Sequence, residues 1–264
     1  LGVNATLPST VLLFALVVTS HTDDKPAIPL RDVLLGTVFS RDAAKCSYQL
    51  RTVQFDGVAT QVTSCGTLTL STAPALDGFS LTDVLTVDVE GTQMSVTTRM
   101  RFQERNLLCP EAVSHDVTLA DKSVRLFTYE NGRTTVVSWF DGTTNYPPLN
   151  MDEGIVSLGT LLRIVPLLAR ECGATYQFTS YAVPFLFFPV TPESKTQPFT
   201  IAAQTREQIG VNGVSRDCVK YRVVLGKEDY DADIWIDDDK HVVRFVMPFT
   251  RGIKTDFLEG FLHE

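Results

Sequence analysis

The chain has 264 residues, of which 44% are hydrophobic and 20% charged, with a net charge of −8; this composition belongs to a globular protein and excludes a disordered or fibrous one. The length admits one large β domain or two small ones. An acidic surface repels a phosphate backbone, and no run of lysine and arginine offsets it, so nucleic acid is not expected as a partner.

The first predicted element is apolar. Residues 11–18 read VLLFALVV, a run too short to cross a bilayer. With Val18 and Ser20 as small residues before a cut, the run predicts the core of a secretory signal peptide. A buried N-terminal strand is the other reading, since no basic residue precedes Lys25. The expected division is 1–24 as signal peptide or apolar strand and 25–264 as one β-rich domain, periplasmic or extracellular. No cysteine directly follows the run, which disfavours a lipoprotein.

Hairpins come next. Asp56-Gly57, Glu90-Gly91 and Asn131-Gly132 each separate two β-rich runs. Asn-Gly tolerates the positive φ of a type I′ turn, which matches strand twist, so SVRLFTYE and RTTVVSWF are expected to pair. Cys46 and Cys65 flank Asp56-Gly57 almost symmetrically. In an exported protein that hairpin would bridge them, with Cys172 and Cys218 as a second candidate pair. In a cytosolic protein all five cysteines would be plain thiols. None forms C-x-x-C, so zinc-site spacing is absent.

Within this region QMSVTTRMRF (93–102) alternates. Met94, Val96, Met100 and Phe102 share one face, and Ser95, Thr97, Arg99 and Arg101 the other. Such one-sided strands belong to antiparallel sheets. Ser114, His115 and Asp116 have the residue types of a catalytic triad, but neighbours on a strand point to opposite faces and cannot form one together.

After a loop at 141–150 the period changes. In SLGTLLRIVPLLARECG (157–173), Leu158, Leu161, Leu162, Val165 and Leu168 share a helical face. Ser157 is expected to cap this helix, Gly173 to end it and Pro166 to kink or split it. Asp152, Glu153 and Glu171 supply carboxylates nearby, but spacing alone does not make the pair a glycosidase needs. The aromatic-rich stretch YQFTSYAVPFLFFPV (176–190) follows. Pro184 and Pro189 forbid a regular central strand there, so it reads as an edge strand and loop, or as an apolar flap over a ligand cavity.

The β pattern then resumes. VKYRVVL (219–225) alternates Val219, Tyr221, Val223 and Leu225 against Lys220 and Arg222. The stretch DADIWIDDDKHVVRFVMP (231–248) suggests calcium, but from Asp231 an EF-hand loop would place Trp235 at its fifth position, Ile236 at its sixth and Val242 at its twelfth, and the template fails. It reads instead as a hairpin: Ile234 and Ile236 inward, Asp233, Trp235 and Asp237 outward, and a turn at Asp238, Asp239 and Lys240. The tail after residue 249 is expected to add a short helix or strand. His21, His115, His241 and His263 are scattered and read as surface residues. The nucleophile-elbow, P-loop and dinucleotide-binding patterns are absent.

From Ile209 to Met247 the order is V-x-G-V, a Cys-x-x-Tyr strand, I-W-I-D-D-D and a V-V-R-F strand. This resembles the C-terminal strands of exported bacterial β-proteins of unknown function, themselves similar to the periplasmic lipoprotein carriers. The resemblance implies a curved, unclosed antiparallel sheet with helices over its mouth, an exported location and an apolar cavity. It carries no catalytic residue.

The sequence therefore predicts a mainly β protein: a curved antiparallel sheet, an open half-barrel, with one helical segment across its concave face. The expected function is non-enzymatic binding of a lipid or acyl chain between sheet and helix, without cofactor or metal. The expected lining is Leu161, Leu162, Val165, Phe178, Phe185, Phe187 and Phe188. The partner is thus a hydrophobic small molecule or lipid, and membrane contact fits the same reading. A hydrolase of an envelope polymer and a cell-surface interaction module using a sheet edge are the alternatives.

Overall fold

The structure is a computed structural model that describes residues 27–35, 43–55, 60–75, 78–89, 91–103, 110–119, 122–130, 133–138, 142–146, 155–168, 170–182, 196–225, 231–251 and 254–263. The expected signal peptide or apolar strand at 1–24 lies outside this set, as do Cys109, Phe185, Phe187 and Phe188.

Two meanders make one sheet. The first runs through β2 (Ala44–Phe55), β3 (Thr60–Ala75), β4 (Gly78–Val89), β5 (Thr92–Gln103), β6 (Ala112–Leu119), β7 (Lys122–Glu130), β8 (Arg133–Ser138) and β9 (Gly142–Tyr146). The second runs through β11 (Thr175–Ala182), β12 (Thr196–Val211), β13 (Val214–Leu225), β14 (Ala232–Asp237), β15 (Val242–Arg251) and β16 (Lys254–His263). They join where β16 lies antiparallel to β2, Glu259 opposite Arg51 and Phe261 opposite Gln49. The far ends, β9 and β1 (Ile28–Pro29), do not pair, so the sheet is open and not a barrel. This is the antiparallel architecture that one-sided alternation predicts.

The hairpin turns fall where expected. Phe55 faces Thr60 across Asp56-Gly57, and Glu130 faces Arg133 across Asn131-Gly132. Gly91 has φ +80°, and its N–H donates to Asp88 Oδ1 at 2.7 Å. Residues 176–182 are not an edge, however. The short strands β1 and β10 (Ile155–Val156) pair in parallel with β11 and cover the side away from β12. Those segments satisfy backbone groups that an edge would expose.

One face of the sheet holds the main core. Val96, Met100 and Phe102 of β5, and Val219, Tyr221 and Val223 of β13, all lie in it. The helix α1 (Leu30–Leu35) adds Leu30 and Leu34 to the same core. Against it also packs α2 (Leu158–Ile164), continued as a 3₁₀ turn over Val165–Leu167. Ser157 caps α2 as expected, its Oγ accepting from the Thr160 N–H at 3.1 Å. Pro166 has no N–H to give, and the α-helix stops just before it. So short a helix is marginal alone. Leu158, Leu161, Leu162, Ile164, Val165 and Leu168 are all buried, and roughly 1.5–3 kcal/mol per buried side chain holds the segment in place. Gly173 does not end this helix. It sits farther on with φ +88°, where its N–H donates to the Ala203 carbonyl at 2.8 Å.

The expected disulfides are corrected. Cys46, Cys65, Cys172 and Cys218 are free thiols. Cys46 faces Leu70, whereas Cys65 is the extra residue of a bulge opposite Leu50 and Arg51. Strand residues rise about 3.3 Å each, so those positions are too far apart for a bridge. Cys218 is fully buried between Glu207 and Asp237, while Cys172 is exposed. His115 is also corrected from surface to buried: its Nδ1 lies 3.0 Å from Thr98 Oγ1. His241 and His263 are exposed.

Candidate functional site

The stretch from residue 231 forms the expected hairpin, with Ile234 and Ile236 in the main core. Trp235 and Asp237 do point to the opposite face, but they are only 4% and 5% exposed. The cause is β12–β13. Their pairing is interrupted between Ala203 and Arg206, and beyond that point the hairpin curls over the outer face of the sheet. Ile209, Val211 and Cys218 there pack with Trp235 and Val243 in a second core, which Phe261 and Val246 flank.

A groove of about 700 Å³ lies between this curled tip and the outer face of β2 and β3. The tip contributes Ile209, Gly210, Val211 and Asn212. The floor contributes Arg51, Val62, Ser64, Arg244 and Phe261.

Strand register explains the floor. One row across the sheet is Trp235, Arg244, Phe261 and Gln49. The next is Asp233, Val246, Glu259, Arg51 and Ser64. A third is Phe257, Val53 and Val62. Side chains two apart on a strand share a face, so these rows lie about 6–7 Å from one another.

The second row is an ion bridge. Glu259, 2% exposed, accepts from Arg51 Nε and Arg244 Nε, each at 2.6 Å. The guanidinium of Arg51 stacks on Phe261, 4.4 Å from the ring centroid, and that of Arg244 on Trp235 at the same distance. Trp235 Nε1 donates to Glu207 Oε2 at 2.9 Å, so the ring itself is fixed. The two arginines are the groove's only charged lining residues among those described. The third row is apolar and wet: Phe257 is 42% exposed and Val62 52%.

Two other polar clusters lie outside the groove. Beside the 238–240 turn, ligand-type atoms of Asp237, Asp239 and His241 lie within 4.8 Å of one another. Asp237 is already engaged, accepting from Arg216 Nη1 and from the His241 N–H, both at 2.8 Å. Burial pushes its carboxyl up, but those donors outweigh burial and hold it below the usual carboxylate range. Asp239 and His241 are exposed, so this is a braced turn. Under α2, Asp83 accepts from Arg163 Nη1 at 2.7 Å and from Ser157 Oγ at 3.4 Å. Burial outweighs these partners and raises its carboxyl above the ordinary range. Arg163 also donates to the Ser71 carbonyl at 2.9 Å, so the cluster ties α2 to β3 and β4.

Of the lining expected from the sequence, Leu161, Leu162 and Val165 are packed in the core. Phe178 stacks on Phe199 at 4.7 Å between centroids. Arg51, Arg244, Glu259 and Phe261 were not foreseen. Part of their signal was present, since Phe257, Glu259 and Phe261 alternate with Leu258 and Leu262. Glu171, one of the carboxylates near the helix, is exposed, while Asp152 and Glu153 lie outside the described residues.

No family model and no curated protein matches the chain. A solved Bacteroides fragilis protein with a YMCC-like fold, whose export is itself inferred, aligns over 86% of this chain and 99% of its own, at 9% identity and a TM-score of 0.28. A likeness this low carries no argument about function. Among the described residues, no helix is long and apolar enough to cross a membrane.

Proposed function

We propose that this is an exported, non-enzymatic protein that binds an apolar, chain-like ligand in the outer-face groove. One observation carries the reading: the apolar row Phe257–Val53–Val62, exposed at both ends and half-buried at Val53, runs into a groove walled by Ile209 and Val211. Exposed apolar strips that lead into concavities mark binding surfaces. The volume of about 700 Å³ lies within the range of small-molecule sites, roughly 300–1,000 Å³. On the helix side Leu161, Leu162 and Val165 are buried and Phe185, Phe187 and Phe188 lie outside the described residues, so the reading rests on the groove. Export rests on the apolar run at 11–18. The non-enzymatic reading rests on Glu259, whose carboxylate is held by two arginines and is not free to act as a base.

The test is titration with N-phenyl-1-naphthylamine, a neutral apolar dye that brightens in a nonpolar site. Saturable binding is expected, weakened about tenfold in Val62→Asp, which places a charge on the apolar row. Absent binding, or equal binding by the variant, overturns the reading.

A further inference from the structure

The groove's charge assigns the other end of its ligand. Resting on the groove reading, we propose that the occupant is a single-chain fatty acid, its carboxylate received by Arg51 and Arg244 and its tail laid along Val62, Val53 and Phe257. The protein's net charge is −8, yet both charged lining residues of the groove are arginines. Each uses its Nε on the buried Glu259. Among the described residues, the terminal amino groups of both guanidiniums take no further hydrogen-bond acceptor. Two arginines against one glutamate leave one positive charge, which matches a carboxylate and not a dianion.

Stacking on Phe261 and Trp235 holds the guanidiniums in place before a ligand arrives, so little order is lost on binding. The row carrying Arg51 lies directly beside the exposed apolar row. An acid and its alkyl chain are the ligand that satisfies both rows at once. The apolar row is a single side chain wide, which suits one chain.

Dye displacement from the full chain by dodecanoate, 1-dodecanol and dodecyl phosphate tests this. Dodecanoate should displace at a concentration roughly tenfold below that of dodecanol, the order expected of a charge-assisted hydrogen bond. The preference should shrink at high salt. Arg51→Gln, which leaves Arg244 on the buried Glu259, should shrink the ratio of dodecanol to dodecanoate displacement concentrations, with circular dichroism reporting that the variant is folded; an unchanged ratio in the folded variant overturns the carboxylate assignment. Equal displacement by acid and alcohol overturns the carboxylate assignment and leaves the groove reading standing. Tighter binding of dodecyl phosphate overturns the choice of a monoanion. Failure of every chain to displace a bound dye, or of the dye to bind, removes the inference together with its basis.

Discussion

Glu259 is the most consequential single side chain on the outer face. It is buried, and both its oxygens accept from guanidiniums at 2.6 Å. Glu259→Ala leaves two like charges side by side over aromatic rings. Removing one member of a buried ion group costs up to several kcal/mol, but these arginines are partly exposed and screened, so we expect about 2 kcal/mol. Urea denaturation measures it, and a loss below about 0.5 kcal/mol would reduce the bridge to an ordinary surface pair. Asp237 gives a pH prediction. Its folded-state value is lowered, below the unfolded value of about 3.9. Its contribution is therefore complete above the unfolded value and lost as pH falls through the folded one. Asp237→Asn keeps the acceptor for the His241 N–H but loses the charge opposite Arg216, and should cost about 2 kcal/mol at neutral pH. That gap should narrow at pH 3, below the unfolded value of about 3.9, and close only as pH falls through the folded one. Denaturation midpoints of variant and wild type at the two pH values decide it; a gap of constant size would mean that charge does not brace the turn.

At the scale of elements, α2 shows how a local rule is overruled by contact. Replacing glycine by alanine inside a helix ordinarily gains up to about 1 kcal/mol. A Cβ at Gly159 would instead fall on the Asp83 carboxylate. Gly159→Ala should therefore destabilise by about 1–3 kcal/mol, as overpacking does, and a stabilised variant in urea denaturation would show that α2 is free to shift. The sequence announced α2 well, through the Ser157 cap, the leucine face and Pro166, because each signal acts within a turn or two. Strand faces were equally legible, since alternation is local. Bulges were not. The extra residue Cys65 moves the β2–β3 register by one step, although Phe55 opposite Thr60 already sets Cys46 four residues away from Cys65. A second irregularity, between Trp235 and Ile236 opposite Val242 and Arg244, sets Val243 and Arg244 on one outer face. Gly66, beside Cys65 and with φ +154°, marks the first site, whereas nothing in residue type marks the second.

For the whole molecule, the unforeseen step is the join between the two meanders. β16 enters the sheet between β15 and β2, about 200 residues from its partner in sequence (Arg51 and Glu259, separated by 208). No local pattern encodes such a contact, and the groove exists only because of it: Arg51 comes from one side of the join, and Arg244, Glu259 and Phe261 from the other. The β12–β13 tip was hidden for the same reason. Its folding back depends on the surface it covers, which is how Trp235 reads as exposed in sequence and is buried in the fold. Removing β16 should then do more than fray an end. A chain ending at Arg251 keeps the first meander and β11 to β15 of the second but loses every β16–β2 and β15–β16 pair, opening two bare edges where the core was continuous. The intact protein should unfold with Trp235 fluorescence and far-ultraviolet circular dichroism superimposed in urea, measured with Trp139→Phe so that one tryptophan reports. In the truncated chain the two curves should separate, since Trp235 follows only the second meander and circular dichroism follows both. Coincident curves at an unchanged midpoint would mean that β16 is an appendage, and that the two halves cohere through α2 and the inner core alone.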